Sequence, residues 1–461
     1  MEKSKSPFLY ERKNAWLHGD RDAYFKFADE YKNFLDMGKT ERECVAYAEK
    51  SLGAQGFVAL DKAVNRPGSK FYASAGGKNL IAGIIGTESF TKGVNLIAAH
   101  IDSPRLDLKP LPLEEDSSMA LLKTHYYGGI KKYYWLNIPL ALHGRVVKGD
   151  GTPVDIVIGE NESDPVFTIN DLLIHLSQKI QGEKKLLEGI EGENLKVLFA
   201  SIPLDDVEGD KVKAGALALL NSRYGISEED LISAELEIVP AFKARDIGID
   251  RSMIGGYGQD DRVCSYASLR ALVDTGECSR TTIAVLVDKE EIGSCGISGI
   301  RSRFLYNTIG DIGELCGITR DAEVRRALWN SFSISADVGA VVNPMYKEAF
   351  DVMNTGIIGN GVVIKKYTGA RGKSGASDAS AEYMGKIREI FNRNGVVWQP
   401  SLLGKVDQGG GGTVAHYIAE MGLTVVDSGV GVDGMHSPYE VTSKADLYHA
   451  YLGYKAFYKD A

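Results

Sequence analysis

Apolar residues recur along the chain in two rhythms, short unbroken runs that read as buried strands and stripes of period near 3.6 that read as helices. Tyr24, Phe27, Tyr31, Phe34 and Leu35 put such a stripe on a predicted helix from Asp20 to Asp36. Thr40-Glu41-Arg42-Glu43 has the spacing of a capping box and predicts a second helix that closes near Gly53. Phe71 to Ser74 and Leu80 to Ile85 read as strands on either side of a Gly76-Gly77 turn. The run from Val94 then reads as a buried strand ending at His100, with Asp102 two residues on.

The texture changes between about Arg105 and Lys243. Ile138 to Val147 and Val154 to Ile158 read as strands joined across Asp150-Gly151. Leu195 to Ser201 and Leu236 to Val239 add strand, while Asn170 to Lys179 and Lys211 to Ser222 are predicted helices. Beyond Lys243 the earlier pattern resumes. Asp260-Asp261-Arg262 stands at a helix start, Ile283 to Val287 runs into Asp288-Lys289-Glu290-Glu291, and Ser331 to Ser335 leads to Asp337. Leu423 to Val426 leads to a loop with Gly434-Met435-His436-Ser437, and Thr442 to Lys459 is an amphipathic helix with Leu447, Tyr451, Tyr454 and Phe457 on one stripe. This alternation predicts an α/β fold with a mostly parallel sheet covered on both faces. Residues 105–243 read as a second domain inserted into the first, which comprises 1–104 and 244–461.

Composition narrows the function. At 461 residues the chain exceeds one small core. A formal charge of -9 disfavours non-specific nucleic-acid binding, which neutralises phosphates with Lys and Arg. The five cysteines are odd in number and scattered without a C-x-x-C pair, which predicts reduced thiols in a cytoplasmic protein. The N-terminal segment from Met1 to Pro7 leads into a charged helix and lacks a signal peptide's apolar core. No apolar run reaches bilayer length, so no membrane association is expected.

The chemistry gathers where apolar runs end. His100, Asp260, Glu291, Asp337 and His436 lie on separate segments, mostly near strand or helix termini. Ligands of open α/β sheets bind just beyond the carboxyl ends of strands, and two imidazoles with three carboxylates suit a pair of zinc ions, one carboxylate bridging. Each residue also has an ordinary reading: an Asp at a helix start is usually an N-cap, Asp337 can begin a turn, and a lone His is more often structural. Their joint recurrence favours the metal. Glu290, beside Glu291 and after an apolar strand, is the natural general base. Val362 to Tyr367 reads as a strand ending in Lys365-Lys366; solvated loop charges are the ordinary reading, yet a lysine such as Lys365 at a strand end could receive an acidic side chain. Lys405-Val406-Asp407-Gln408 followed by Gly409 to Gly412 could bring backbone N–H groups close to a substrate. A phosphate cradle is the rival reading of that stretch, but no Walker-type lysine or complete dinucleotide fingerprint accompanies it.

These segments resemble the successive site motifs of the aspartyl aminopeptidase family: His100-Ile101-Asp102-Ser103-Pro104, Asp260-Asp261, Asp288 to Ser294, Ser335-Ala336-Asp337 and Met435-His436-Ser437. The resemblance covers nearly the whole chain, including Tyr127-Gly128-Gly129 and Leu142-His143-Gly144-Arg145-Val146 in the insertion. It implies a phosphorylase/hydrolase-like zinc exopeptidase domain and an inserted dimerisation domain. It also implies a dinuclear zinc aminopeptidase (cobalt or manganese are alternatives), and homo-oligomers that build dodecamers from dimers. Carried over by residue, His100 and Asp337 hold one metal, Glu291 and His436 the other, and Asp260 bridges. Asp102 orients His100, Glu290 is the base, and Lys365, Asp407 and Gly410 face the peptide substrate. A cis Asp260–Asp261 peptide is implied as well.

Two departures leave the preferred first residue open between acidic and neutral, Leu-like side chains. Asp171 stands where acid-specific relatives carry a histidine that reaches a neighbouring subunit, just before Leu172-Leu173-Ile174-His175-Leu176. The surroundings of Lys365, from Lys366 to Arg371, also differ from those relatives. Rival readings are another amidohydrolase on this scaffold and a non-enzymatic, self-assembling metal-binding protein; the Glu290-Glu291 pair argues against the latter, since a structural site needs no free base.

Overall fold

Seven consecutive buried residues, Val94–His100, run through the middle of a nine-stranded sheet. The computed structural model describes residues 8–461, so the reading of the first seven residues as no part of a signal peptide lies outside the described residues. Val94–His100 pairs in parallel with Thr281–Val287 on one side and Phe332–Ser335 on the other, and Phe332–Ser335 pairs in parallel with Thr424–Gly429. The expected parallel sheet is therefore its central block. Antiparallel neighbours flank it: Leu80–Ile84 beside Thr281–Val287, and Val362–Lys365 beside Thr424–Gly429.

Both faces are covered, which is why these strands read as unbroken apolar runs rather than alternating ones. Successive side chains point to opposite faces. Ile97 and Ala99 pack into a core with the helices Arg21–Met37, Gln259–Val273 and Lys444–Asp460, while Leu96 and Ala98 join another with Phe304–Leu315 and Asp321–Trp329. The capping box at Thr40 forms as predicted and starts the helix Glu41–Ala54.

Six strands between Arg105 and Pro240 form a separate, wholly antiparallel sheet with its own apolar core around Leu106, Leu142, Ile156 and Ile238. The helix Lys211–Tyr224 packs on it. A smaller five-stranded sheet joins Met253–Gly256 to Glu440–Ser443 and carries the chain towards His436.

Two predicted helices change. Between Asn170 and Lys179 only Ile174–Ser177 is α-helical, followed by a wider turn at Gln178–Gly182. Asp171 holds the preceding segment extended: its carboxylate accepts from Leu172 N and Gln181 Nε2, and its own N–H donates to Asn137. The apolar residues Leu173, Ile174 and Leu176 are exposed, so no tertiary burial supports a longer helix. The C-terminal helix starts at Lys444, not Thr442, because Thr442 and Ser443 are paired with Met253 and Ile254 in a strand; Ser443 caps the helix instead.

Candidate metal centre

The C-terminal ends of three adjacent parallel strands converge on one crevice. Val94–His100 delivers His100, Thr281–Val287 leads to Glu290 and Glu291 in a short 3-10 turn, and Phe332–Ser335 leads to Asp337. Asp260 enters from the start of Gln259–Val273, across a cis Asp260–Asp261 peptide, and His436 comes from the loop after Gly431–Asp433. His100, Asp260, Glu290, Glu291, Asp337 and His436 line a single cavity of about 380 Å³.

The Asp260 carboxylate lies between the imidazoles. Its Oδ1 is 3.2 Å from His100 Nε2 and its Oδ2 is 3.3 Å from His436 Nε2, which in turn lies 3.3 Å from Glu291 Oε1. Each imidazole has its other nitrogen on a carbonyl: His100 Nδ1 is 3.0 Å from Asp102 O, and His436 Nδ1 is 2.9 Å from Gly129 O. With Nδ1 donating, both Nε2 atoms face the crevice, where each becomes a donor to a cation once its proton is displaced.

Asp102 is fully buried and serves four neighbours. Its carboxylate accepts from Glu290 N and Glu291 N, each at 3.1 Å, and from Tyr127 Oη at 2.8 Å, while Oδ1 lies 3.3 Å from His100 Nδ1. Glu440 is the counterpart on the other side. Its two oxygens accept from Asp260 N at 3.1 Å and His436 N at 2.8 Å.

The charges of the centre are unbalanced. Burial, opposed by His100 and reinforced by Asp337, Asp102 and Asp260, pushes the Glu290 carboxyl up to about 8. Burial also pushes Glu291 well above the carboxylate range, with the Asp260 charge adding to it. Burial would lower the His436 imidazole, but Asp260 and Glu291 hold it up to about 10. Glu291 Oε1 is buried without a hydrogen-bond partner among the described residues. Crowded carboxylates and a buried oxygen without a hydrogen bond are what divalent cations neutralise; a cation would displace the Nε2 protons of the two imidazoles, and N/O donors of this kind suit zinc. Donor atoms of His100, Asp260 and Glu291 lie within 4.8 Å of one another.

The residues expected to meet substrate line the same cavity. Lys365 sits at its floor, only 6% exposed, with Nζ donating to Val338 O at 3.0 Å and lying 3.5 Å from Asp337 Oδ1. Its ammonium is thus engaged within the chain. Asp407 and Gly410 lie on an exposed loop at the mouth. Tyr127, Gly129 and Glu440 were not anticipated as site residues. Glu440 is flanked by Tyr439 and Val441 in a short strand, and Gly129 acts through its carbonyl, so neither leaves a side-chain pattern to read. The Tyr127-Gly128-Gly129 motif was the available signal.

Imidazoles and carboxylates gathered at the strand ends of a two-faced α/β sheet make a metal centre of the kind hydrolytic metalloenzymes use. The family described as aminopeptidase I zinc metalloprotease (M18) matches residues 34–458. A Clostridium acetobutylicum relative named "Probable M18 family aminopeptidase 1" is 49% identical, covering 97% of this chain and 98% of its own. A Thermotoga maritima relative of the same name is 47% identical over 97% of this chain and 98% of its own. The crystal structure of an M18 family aminopeptidase from Thermotoga maritima superposes with a TM-score of 0.95 at 46% identity, covering 98% of this chain and 100% of that one. The chain belongs to the M18 family and is a zinc aminopeptidase.

Proposed function

We propose that this aminopeptidase holds two zinc ions, His100 and Asp337 on one, Glu291 and His436 on the other, with Asp260 between them. The observation that carries this reading is the Asp260 carboxylate, whose two oxygens face two different imidazoles. Zinc, when bound, supplies a Lewis acid that polarises the scissile carbonyl and acidifies water. Glu290 takes the proton from the attacking water and delivers it to the departing amine. Its backbone is fixed by Asp102, and its side chain, 18% exposed, lines the cavity with Oε2 4.0 Å from His100 Nε2. Cobalt and manganese fit the same donors.

The engaged ammonium of Lys365 favours a neutral first residue over an acidic one. The apolar Val338, Leu402 and Met435 on the cavity wall support the same preference. Asp407 and Gly410 at the mouth contact the peptide beyond it. Residues 105–243 act as the dimerisation domain: they carry the exposed Leu173, Ile174, Leu176, Leu186 and Leu187, an apolar area that favours association with further copies. The S. cerevisiae mApe1 dodecamer, at 21% identity and a TM-score of 0.77, shares the fold, and a dodecamer is the assembly we infer. The five free cysteines fit a reducing cytoplasm, and no helix among the described residues is long and apolar enough to cross a membrane.

One experiment addresses activity and metal together. The zinc-loaded protein is given tripeptides with acidic, neutral or basic first residues and their N-acetylated counterparts, and bound zinc is counted by elemental analysis. Cleavage of the free peptides alone, fastest for neutral first residues, with two zinc ions per chain, is expected. Hydrolysis of the acetylated peptides would instead indicate a deacylase or carboxypeptidase.

A further inference from the structure

We infer that the inserted segment Tyr127–Gly129 positions both imidazoles of the metal centre, Tyr127 through Asp102 and Gly129 through its carbonyl. This rests on the two-zinc reading above and adds to it residues from the other sheet. A histidine binds metal through one nitrogen when the other donates to a fixed acceptor, and loss of such a partner typically weakens binding about 10- to 100-fold. For His436 the acceptor is Gly129 O, at 2.9 Å. For His100 it is Asp102, whose backbone O lies 3.0 Å and whose carboxylate Oδ1 lies 3.3 Å from Nδ1; the other carboxylate oxygen, Oδ2, takes the Tyr127 hydroxyl at 2.8 Å. Because Asp102 also receives the amides of Glu290 and Glu291, the tyrosine steadies the general base and a proposed ligand along with His100.

The tyrosine is itself rigidly seated. It ends the strand Met119–Tyr127, opposite Arg105 in the antiparallel ladder, and the Arg105 guanidinium lies 4.0 Å from its ring centroid. Arg105 is buried and held by Glu41 from the first helical layer at 2.8 Å and by Glu237 from the inserted sheet at 3.4 Å. The two glycines that follow lie against the site. A Cβ on Gly128 would meet Glu291 Cβ at 3.3 Å, and one on Gly129 would meet His436 Nδ1 at 3.5 Å. Gly128, at φ 71°, takes a backbone conformation that favours glycine and lets the insertion approach Glu291 closely. The inserted domain thereby becomes part of the active centre's frame.

The test is zinc affinity, measured by competition with a chromophoric chelator on the full chain. Tyr127→Phe removes one hydroxyl and keeps the ring on Arg105. It is expected to weaken zinc binding about 10- to 100-fold and to lower kcat with little change in KM. The melting temperature of the metal-free protein and its oligomeric state should stay as they were. Gly128→Ala, which puts a Cβ at φ 71° and 3.3 Å from Glu291 Cβ and so strains the turn that places Gly129 O, is expected to act in the same direction. Tyr126→Phe, on the exposed neighbour, serves as the control. If both Tyr127→Phe and Gly128→Ala fold and bind zinc within about twofold of the unsubstituted chain, the positioning role is overturned. If the unsubstituted chain itself takes up no zinc, the reading of the metal centre is what fails.

Discussion

At the scale of single residues, the centre works because one buried carboxylate organises several donors at once. Asp102 fixes the backbone of Glu290, while the Glu290 side chain faces the cavity, the division of labour a general base requires. Glu290→Gln keeps the shape and removes the proton acceptor. It should lower kcat by about 10²- to 10⁴-fold while elemental analysis finds the zinc content unchanged; near-normal turnover of a chromogenic amino-acid amide would discard Glu290 as the base. Lys365 lends itself to an equally direct measurement. With its ammonium on Val338 O and Asp337, Lys365→Met should leave the ratio of kcat/KM between acidic and neutral first residues within about threefold, whereas a tenfold fall for acidic ones would show that the lysine receives the substrate. His100, Asp260, Glu290, Glu291 and His436 were legible in the sequence because each follows an apolar run or opens a helix, and here they share one cavity. Glu440 and Gly129 were not, because they act through backbone N–H and C=O groups, which any residue possesses. The engagement of Lys365 was hidden for a related reason: its partner Val338 O comes from a different strand connection and carries no sequence signature.

At the scale of elements, legibility follows burial. The four central strands and the C-terminal helix were readable because their apolar positions are continuous or regularly spaced, and they lie at the core. The strands Arg105–Asp116 and Met119–Tyr127 escaped notice because Asp107, Lys109, Glu114 and Glu115 interrupt the first, together with Pro110 and Pro112, and only alternate residues of the second are inward. The helix predicted from Asn170 failed for the opposite reason: its apolar residues are present, but nothing among the described residues covers them. Burial likewise sets the stability of the helix Lys444–Asp460. Its buried face includes Leu447, fully enclosed beside Tyr31-bearing and Val263-bearing helices in the main core. Leu447→Ala should cost about 2–5 kcal/mol, seen as a lower urea midpoint without a change in slope. A loss under 1 kcal/mol would mean that the surrounding helices collapse into the space.

At the scale of the whole molecule, the two sheets are joined by a buried polar junction. His143, on Leu140–Val147 of the inserted sheet, has Nδ1 2.7 Å from Glu43 Oε1 in Glu41–Ala54 and Nε2 3.1 Å from Glu160 Oε1. Glu160 also pairs with Lys39 at 2.8 Å and Lys243 at 2.7 Å, and Glu237 lies opposite His143 in the ladder. Burial alone would lower the imidazole's pKa, but bonds to Glu160 and Glu43 more than offset it and hold it above the ordinary value. A histidine whose folded pKa is raised contributes stability that is complete below its unfolded pKa, about 6.5, and is lost as pH rises through the folded value. The junction should therefore loosen on the alkaline side of neutrality, and with it the hold of the insertion on the segment Tyr127–Gly129, whose contacts to Asp102 and His436 cross between the sheets. His143→Gln, which cannot carry charge, should destabilise the protein by about 1.5–3 kcal/mol at pH 6 and by progressively less as pH rises. Thermal melts of the two zinc-loaded proteins from pH 6 to 9 measure this as converging melting temperatures, since the zinc centre is common to both and cancels in the difference. Parallel curves would show that His143 stays neutral across this range and that the junction holds by packing and by the Lys39 and Lys243 pairs alone.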